Sequence, residues 1–271
     1  MNRFDKLFTA KKNNILNIYC TAGYPQLQST TEVIAALQNN GADIIEIGMP
    51  YSDPLADGEV IQQSSSVALQ NGMTIAILFQ QLNNLRNSPS TGGVGEAIPV
   101  ILMGYMNPVL QFGIEKFCAA AKEVGIDGVI LPDLPMYEFE TMYKPLFDKN
   151  NLKFIFLVTP ETSEERIKKI DTLCSGFIYA VSSSSTTGKN KAFEGQENYF
   201  KKLQGMQLKN PVLVGFGIKD KATFTAACKY TNGAIIGTAY IKALENTDNI
   251  TQTTKEFINS IIGEFILQKS N

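Results

Sequence analysis

Eight short apolar runs, each followed by a segment of helical periodicity, predict an α/β protein of the (β/α)8 barrel class. Two further features point the same way. The runs are rich in β-branched residues and nearly continuous in hydrophobicity, as parallel strands buried on both faces must be. The chain has 271 residues, close to the roughly 250 that eight such units require.

MNRFDKLFTAKKNN opens the chain. It contains an acid and no apolar core of the secretory kind, and reads as a short extra amphipathic helix with Phe4, Leu7 and Phe8 on one face. ILNIYC (Ile15–Cys20) is the first strand, followed by TTEVIAALQNNG. DIIEIG (Asp43–Gly48) precedes MTIAILFQQLNNL, and PVILMGY (Pro99–Tyr105) precedes IEKFCAAAKEVG. GVILPD (Gly128–Asp133) leads to EFETMYKPLF, and KFIFLV (Lys153–Val158) to SEERIKKIDTL. GFIYAV (Gly176–Val181) is followed by GQENYFKKLQ, and PVLVGFG (Pro211–Gly217) by KATFTAACKY. GAIIG (Gly233–Gly237) precedes a last helix with stripes Phe257/Ile261/Phe265 and Ile258/Ile262/Ile266. No domain boundary interrupts this alternation, so residues 1–271 are expected to form a single barrel. SPSTGGVGEA (Ser88–Ala97) is expected to be a loop on the inert side, and SSSSTTGKNKA (Ser182–Ala192) a loop on the side where barrels do chemistry.

An open doubly wound sheet is the rival fold, but GFGIKD at Gly215–Asp220 lacks the third glycine of a dinucleotide fingerprint. No phosphate-loop signature surrounds Gly188-Lys189 either.

Composition excludes several function classes. Charges are balanced (24 basic, 26 acidic), which argues against a nucleic-acid partner. No apolar run approaches the roughly 20 residues that span a bilayer. Four separated cysteines, at 20, 118, 174 and 228, indicate reduced thiols and a cytoplasmic location. Without a histidine to activate it, Cys20 reads as a small core residue rather than a nucleophile. There is no histidine in the chain. Catalytic triads with His, His-ligated metals and imidazole bases are thereby excluded, and acid–base work falls to other side chains.

Glu46 lies within the apolar run DIIEIG. Alternation puts Ile45 and Ile47 toward the helices and turns Glu46 into the barrel near its C-terminal end, where active sites of this fold sit. Partial desolvation raises a carboxylate's pKa and suits it to exchange protons near neutrality. A structural ion pair would be the alternative, yet no strand carries a basic residue near its C-terminal end.

The loop that follows supplies Asp53 and Asp57. Both sit in turn sequences, and nothing local prefers one over the other. Asp133 is a further strand-end carboxylate. Tyr19, Tyr105 and Tyr179 end three strands and together could line a pocket. Gly215-Phe216-Gly217 and Gly237-Thr238 end the seventh and eighth strands, where this fold commonly binds phosphate on backbone N–H groups.

No lysine stands at a strand's C-terminal end to form a Schiff base: Lys153 starts its strand, and Lys189 and Lys191 lie in a loop. A carbon–carbon lyase on this scaffold therefore needs its electron sink within the substrate. A phosphosugar isomerase and a non-catalytic phosphate-binding subunit are the competing readings.

EIGMPYSDPLADG (Glu46–Gly58) resembles the signature E-[IL]-G-x-P-[FY]-S-D-P-x-A-D-G of the tryptophan synthase α-subunit family. Supporting segments are TAGYP (Thr21–Pro25), LMGYMNPV (Leu102–Val109), DGVILPDLP (Asp127–Pro135), FIYAVS (Phe177–Ser182), GFGI (Gly215–Ile218) and GAIIGTA (Gly233–Ala239). The resemblance implies a (β/α)8 barrel that cleaves indole-3-glycerol phosphate to indole and glyceraldehyde 3-phosphate. The indole ring would be the internal sink, with neither cofactor nor metal. It implies Glu46 as general acid/base and, over Asp53, Asp57 as the carboxylate that holds the ring N–H.

By the same resemblance Tyr19 and Tyr179 line the substrate cleft. The phosphate rests on the backbone of Gly188, Phe216, Gly217 and Gly237 and on the Thr238 hydroxyl, and Thr187 helps close the sixth loop. That loop departs from the family's Ser-Gly-Val-Thr-Gly: Ser185 replaces a glycine and Thr186 a valine, which is expected to stiffen the hinge. A pyridoxal-phosphate β subunit is the implied partner, in an α2β2 assembly, with Pro50–Pro54 and Asn107-Pro108 as candidate contacts.

Overall fold

A computed structural model describes residues 2–83, 85–86, 98–182, 196–215 and 217–263. Nine parallel strands lie within it: β1 (Ile15–Thr21), β2 (Ile44–Gly48), β3 (Val100–Met103), β4 (Gly128–Ile130), β5 (Lys153–Phe154), β6 (Leu157–Val158), β7 (Ile178–Val181), β8 (Val212–Gly215) and β9 (Gly233–Ile236). Their order is β5-β4-β3-β2-β1-β9-β8-β7-β6.

The two ends of that order are one run of chain. The fifth expected strand, KFIFLV, is broken at Ile155-Phe156: its first half pairs with β4 and its second with β7. Ile155 N–H still reaches Val129 C=O at 3.1 Å, and Tyr179 N–H reaches Phe156 C=O at 2.9 Å. The sheet thus closes through a single extended segment, giving the eight strand positions of a (β/α)8 barrel. Staggered barrel strands meet their two neighbours at different heights, and on so short a strand the two ladders barely overlap.

Helices cover the outside. Ile45 and Ile47 of β2 are fully buried, as a helix-facing layer requires. Helix Ile250–Ile262 packs on helices Ser29–Asn39 and Thr238–Leu244. From the helical run after β4, Phe139 closes on Phe154 and Phe156 and Phe147 on Phe154, at ring separations of 4.1–5.4 Å.

Helices Glu59–Gln70 and Met106–Phe112 were not foreseen. Their N-cap positions, Gly58 and Tyr105, make no side-chain capping bond, so the usual start signal is missing.

The expected N-terminal helix is present at Arg3–Ala10, capped by Asn2 and Asp5 in a reciprocal box. Phe4 is buried against Phe8 and Phe177. Arg3 pairs with Asp127 at 3.0 Å, and Asp127 also takes Arg86 at 2.8 Å. Asp127 precedes β4 and Phe177 precedes β7, so these contacts lie at the barrel's N-terminal end, opposite the strand ends that carry the site. No described helix is long and apolar enough to cross a membrane. The loops expected at Ser88–Ala97 and, beyond Ser182, at residues 183–192 lie outside the described residues, as do Phe265 and Ile266.

Candidate active site

β2 carries Glu46 inward with 1% of its surface exposed. Across the ladder it faces Tyr19 of β1 and Ile101 of β3. Its carboxylate accepts a 2.8 Å hydrogen bond from Asn17 Nδ2, two residues earlier on the same inner face of β1. Burial drives the Glu46 pKa up to about 8, Asn17's N–H opposes that rise, and the nearby Asp57 charge adds to it. No lysine or arginine among the described residues contributes, so the structural ion pair weighed against a catalytic role does not form there.

Asp57 sits in the loop between β2 and helix Glu59–Gln70. Its N–H is turned back on Pro54 C=O at 3.0 Å, and Gln62 Nε2 holds its carbonyl at 2.9 Å. Tyr105, from the end of β3, donates its hydroxyl to Asp57 Oδ2 at 3.1 Å and accepts Ala56 N–H at 3.0 Å. Burial raises the Asp57 pKa to about 6, and the Tyr105 hydroxyl holds it from rising further. Between about pH 6 and 8 the pair is therefore one neutral acid and one carboxylate, the arrangement that separates acid from base.

The rival carboxylates take other parts. Asp53 is exposed and bonds the neighbouring Ser52 hydroxyl. Asp133 accepts Met106 N–H on both oxygens at 3.0 Å, which satisfies a free donor at the start of helix Met106–Phe112. Cys20 is buried, and burial with the Glu46 charge pushes its thiol to about 12, so it stays neutral.

Tyr19 and Tyr179 line the same cleft as Glu46 and Asp57, each phenol held above its ordinary value by burial and by the two carboxyls. Their rings lie across Gly48 and Gly215. A Cβ at either glycine would enter the ring's own volume. Gly215 was read from the sequence as part of a phosphate turn; its lack of a side chain is explained by Tyr179.

Tyr19, Glu46, Asp57 and Tyr179 line one cleft with Gly217, Gly237 and Thr238, and Ile61, Met103, Ile218 and Ile235 complete its apolar wall. The cleft and its open mouth together hold about 450 Å³ of space. Gly217 has φ +77°, a left-handed conformation that bares its backbone at this edge. Seven of the ten residues that the family resemblance assigns to the site thus meet in one place. Thr187, Gly188 and Phe216 lie outside the described residues. Among the described residues no group of three or more His, Cys, Asp or Glu could hold a metal.

A family model described as tryptophan synthase alpha chain matches residues 4–265. The chain belongs to the tryptophan synthase alpha chain family. It is 49% identical over 262 residues to the tryptophan synthase alpha chain of Flavobacterium psychrophilum, covering 96% of this chain and 100% of that one. The Flavobacterium johnsoniae alpha chain is 50% identical with the same coverage. Among solved structures, the Legionella pneumophila tryptophan synthase alpha chain superposes with a TM-score of 0.81 at 32% identity, covering 96% of each chain. A Pyrococcus furiosus alpha subunit gives 0.81 at 32% identity, over 93% of this chain and 99% of that one.

Two residues that hold the Glu46 and Asp57 side chains were missed in the sequence. Tyr105 is one; its strand-end position was noted, though not its grip on Asp57. Asn17 is the other. A polar residue at an inward position of an apolar strand is the signal that singled out Glu46, and ILNIYC carries it too.

Proposed function

We propose that this cleft cleaves indole-3-glycerol phosphate to indole and glyceraldehyde 3-phosphate, the carbon–carbon lyase step of tryptophan biosynthesis. The observation that carries the roles is geometric: one cleft holds a fully buried carboxyl bonded to the Asn17 amide and a second carboxyl bonded to the Tyr105 hydroxyl, and burial raises the pKa of the first further than that of the second.

Glu46, as the acid, delivers its proton to C3 of the indole. The ring nitrogen takes up the positive charge, and the Asp57 carboxylate opposite the ring N–H stabilises it. The bond from C3 to the glycerol carbon then breaks. Its electron pair returns the ring to indole, the glycerol hydroxyl on that carbon becomes the aldehyde, and its proton returns to Glu46. Atoms and charge balance with no other reactant. Tyr19 and Tyr179 flank the ring plane. Gly217, Gly237 and Thr238, with the backbone of Gly188 and Phe216, receive the phosphate, and Thr187 serves closure of the sixth loop.

A pyridoxal-phosphate β subunit is the partner in this reading, in an α2β2 assembly. Leu55 in the Asp57 loop is 92% exposed, and Leu110 is 49% exposed on the helix after β3. Leu55 adjoins Pro50–Pro54 and Leu110 adjoins Asn107-Pro108, and an exposed apolar side chain beside each candidate segment supports a protein contact there. The family match over residues 4–265 supports a single barrel domain, and four free thiols support a reducing, cytoplasmic setting.

Indole release from indole-3-glycerol phosphate, measured alone and with a tryptophan synthase β subunit, tests the reading. Slow release that the partner accelerates tenfold or more is expected. Absence of release under both conditions contradicts it.

A further inference from the structure

The inner face of β1 reads Ile15, Asn17, Tyr19, Thr21, all buried. An amide has no packing reason to be there, since a buried polar group left without partners costs free energy that an aliphatic side chain would not. Asn17 is fully buried and half satisfied. Its Nδ2 donates to Glu46 Oε2 at 2.8 Å, while its Oδ1 has no hydrogen-bond partner. An unpaired buried carbonyl beside a catalytic carboxyl asks for an explanation.

Chemistry supplies one. A carboxylate only accepts hydrogen bonds, whereas a carboxylic acid also donates one, and an amide presents a donor and an acceptor on opposite sides of one plane. A half-turn about the terminal torsion of Asn17 exchanges Nδ2 and Oδ1. We propose that Asn17 is the positioning residue for Glu46. It donates Nδ2–H to the carboxylate form and, turned over, accepts the carboxyl proton of the acid form on Oδ1. One side chain then holds the Glu46 carboxyl in place on both sides of a proton transfer. The proposal rests on Glu46 being the acid/base.

Other groups facing Glu46 do not duplicate this. Tyr19 on β1 and Tyr179 on β7 are buried and neutral through the working range, as is Cys20 on the opposite face of β1, and Ile101 and Met103 on β3 carry no charge. Asp57, on the loop after β2, is the only charged group among the causes that act on its carboxyl.

Two variants of the full chain test it, Asn17→Leu, which keeps the shape without polar atoms, and Asn17→Asp, which keeps the shape and removes both N–H donors. The readout is the titration of the Glu46 carboxyl by infrared or carbon-13 spectroscopy, with Glu46→Gln to assign the band, beside the pH profile of kcat/KM. The charge-assisted bond to the carboxylate is stronger than the bond accepted from the acid form, so loss of both in Asn17→Leu still raises the Glu46 midpoint, by about half a unit to one unit. It rises further in Asn17→Asp, where two carboxyls compete for charge. The alkaline limb of kcat/KM moves with it. A roughly tenfold fall in kcat with KM changed less than about twofold separates lost positioning from lost binding. An unmoved Glu46 midpoint in either variant that folds overturns the proposal. Wild-type turnover by Glu46→Gln would instead remove the acid/base reading itself, which the spectroscopic midpoint does not depend on.

Discussion

Glu46 and Asp57 begin alike as carboxylates near the top of β2 and are driven apart by what touches them. Full burial beside an amide leaves Glu46 protonated to about pH 8, and a Tyr105 hydrogen bond keeps Asp57 ionised above about 6. A bell-shaped kcat/KM profile follows, rising as Asp57 ionises near pH 6 and falling as Glu46 loses its proton near pH 8. Tyr105→Phe removes a donor to the charged form of Asp57, so the acid limb moves to higher pH, by about one unit, and the alkaline limb stays. A steady-state profile with both limbs unchanged would show that Tyr105 does not govern Asp57. Glu46 was legible in the sequence because alternation alone turns it inward. Asp57 was not separable from Asp53 by local chemistry. What separates them is a tyrosine 48 residues away, a contact that only the closed barrel creates.

Element by element, the strands were legible because each is a short apolar run between turn residues, whatever its neighbours. The break in the fifth strand was not, because it reflects how its two halves meet β4 and β7 rather than any residue at 155 or 156. Helix Glu59–Gln70 was missed for a local reason: it begins within a turn-rich loop, at a glycine that supplies no capping side chain. Glycines at strand ends showed the reverse problem. Gly215 suited the phosphate reading, yet its lack of a side chain makes room for Tyr179. Gly215→Ala forces that ring aside or shifts β8, and is expected to cost about 1–3 kcal/mol, typical of overpacking. It should also raise KM, since Tyr179 lines the cleft. Urea unfolding and steady-state kinetics check both. Wild-type values in each would mean the ring has room to spare.

For the whole molecule, chemistry and anchoring lie at opposite ends of the barrel. At the N-terminal end Asp127 joins Arg3 of the first helix, Arg86 and the Val100 N–H that opens β3. Burial lowers the Arg86 pKa to about 10, and Asp127 opposes that fall. Asp127→Ala removes the counter-charge from a largely buried guanidinium, leaving it only the Gly125 and Ile98 carbonyls, and is expected to cost about 3 kcal/mol, the low end for a broken buried pair. Because the cluster is remote from Glu46, the pH profile of the surviving folded enzyme should not move, and a shifted profile would show the two ends to be coupled. This cluster was illegible in the sequence, since residues 3, 86 and 127 share no motif. The central claim is that Glu46 carries the proton in carbon–carbon cleavage. The measurement that tests it most directly is indole release by Glu46→Gln, with binding of a non-cleavable indole phosphonate measured in parallel. A fall of about 10³ or more in kcat with binding retained within a few-fold is predicted. A rate within tenfold of wild type, with binding intact, would contradict it.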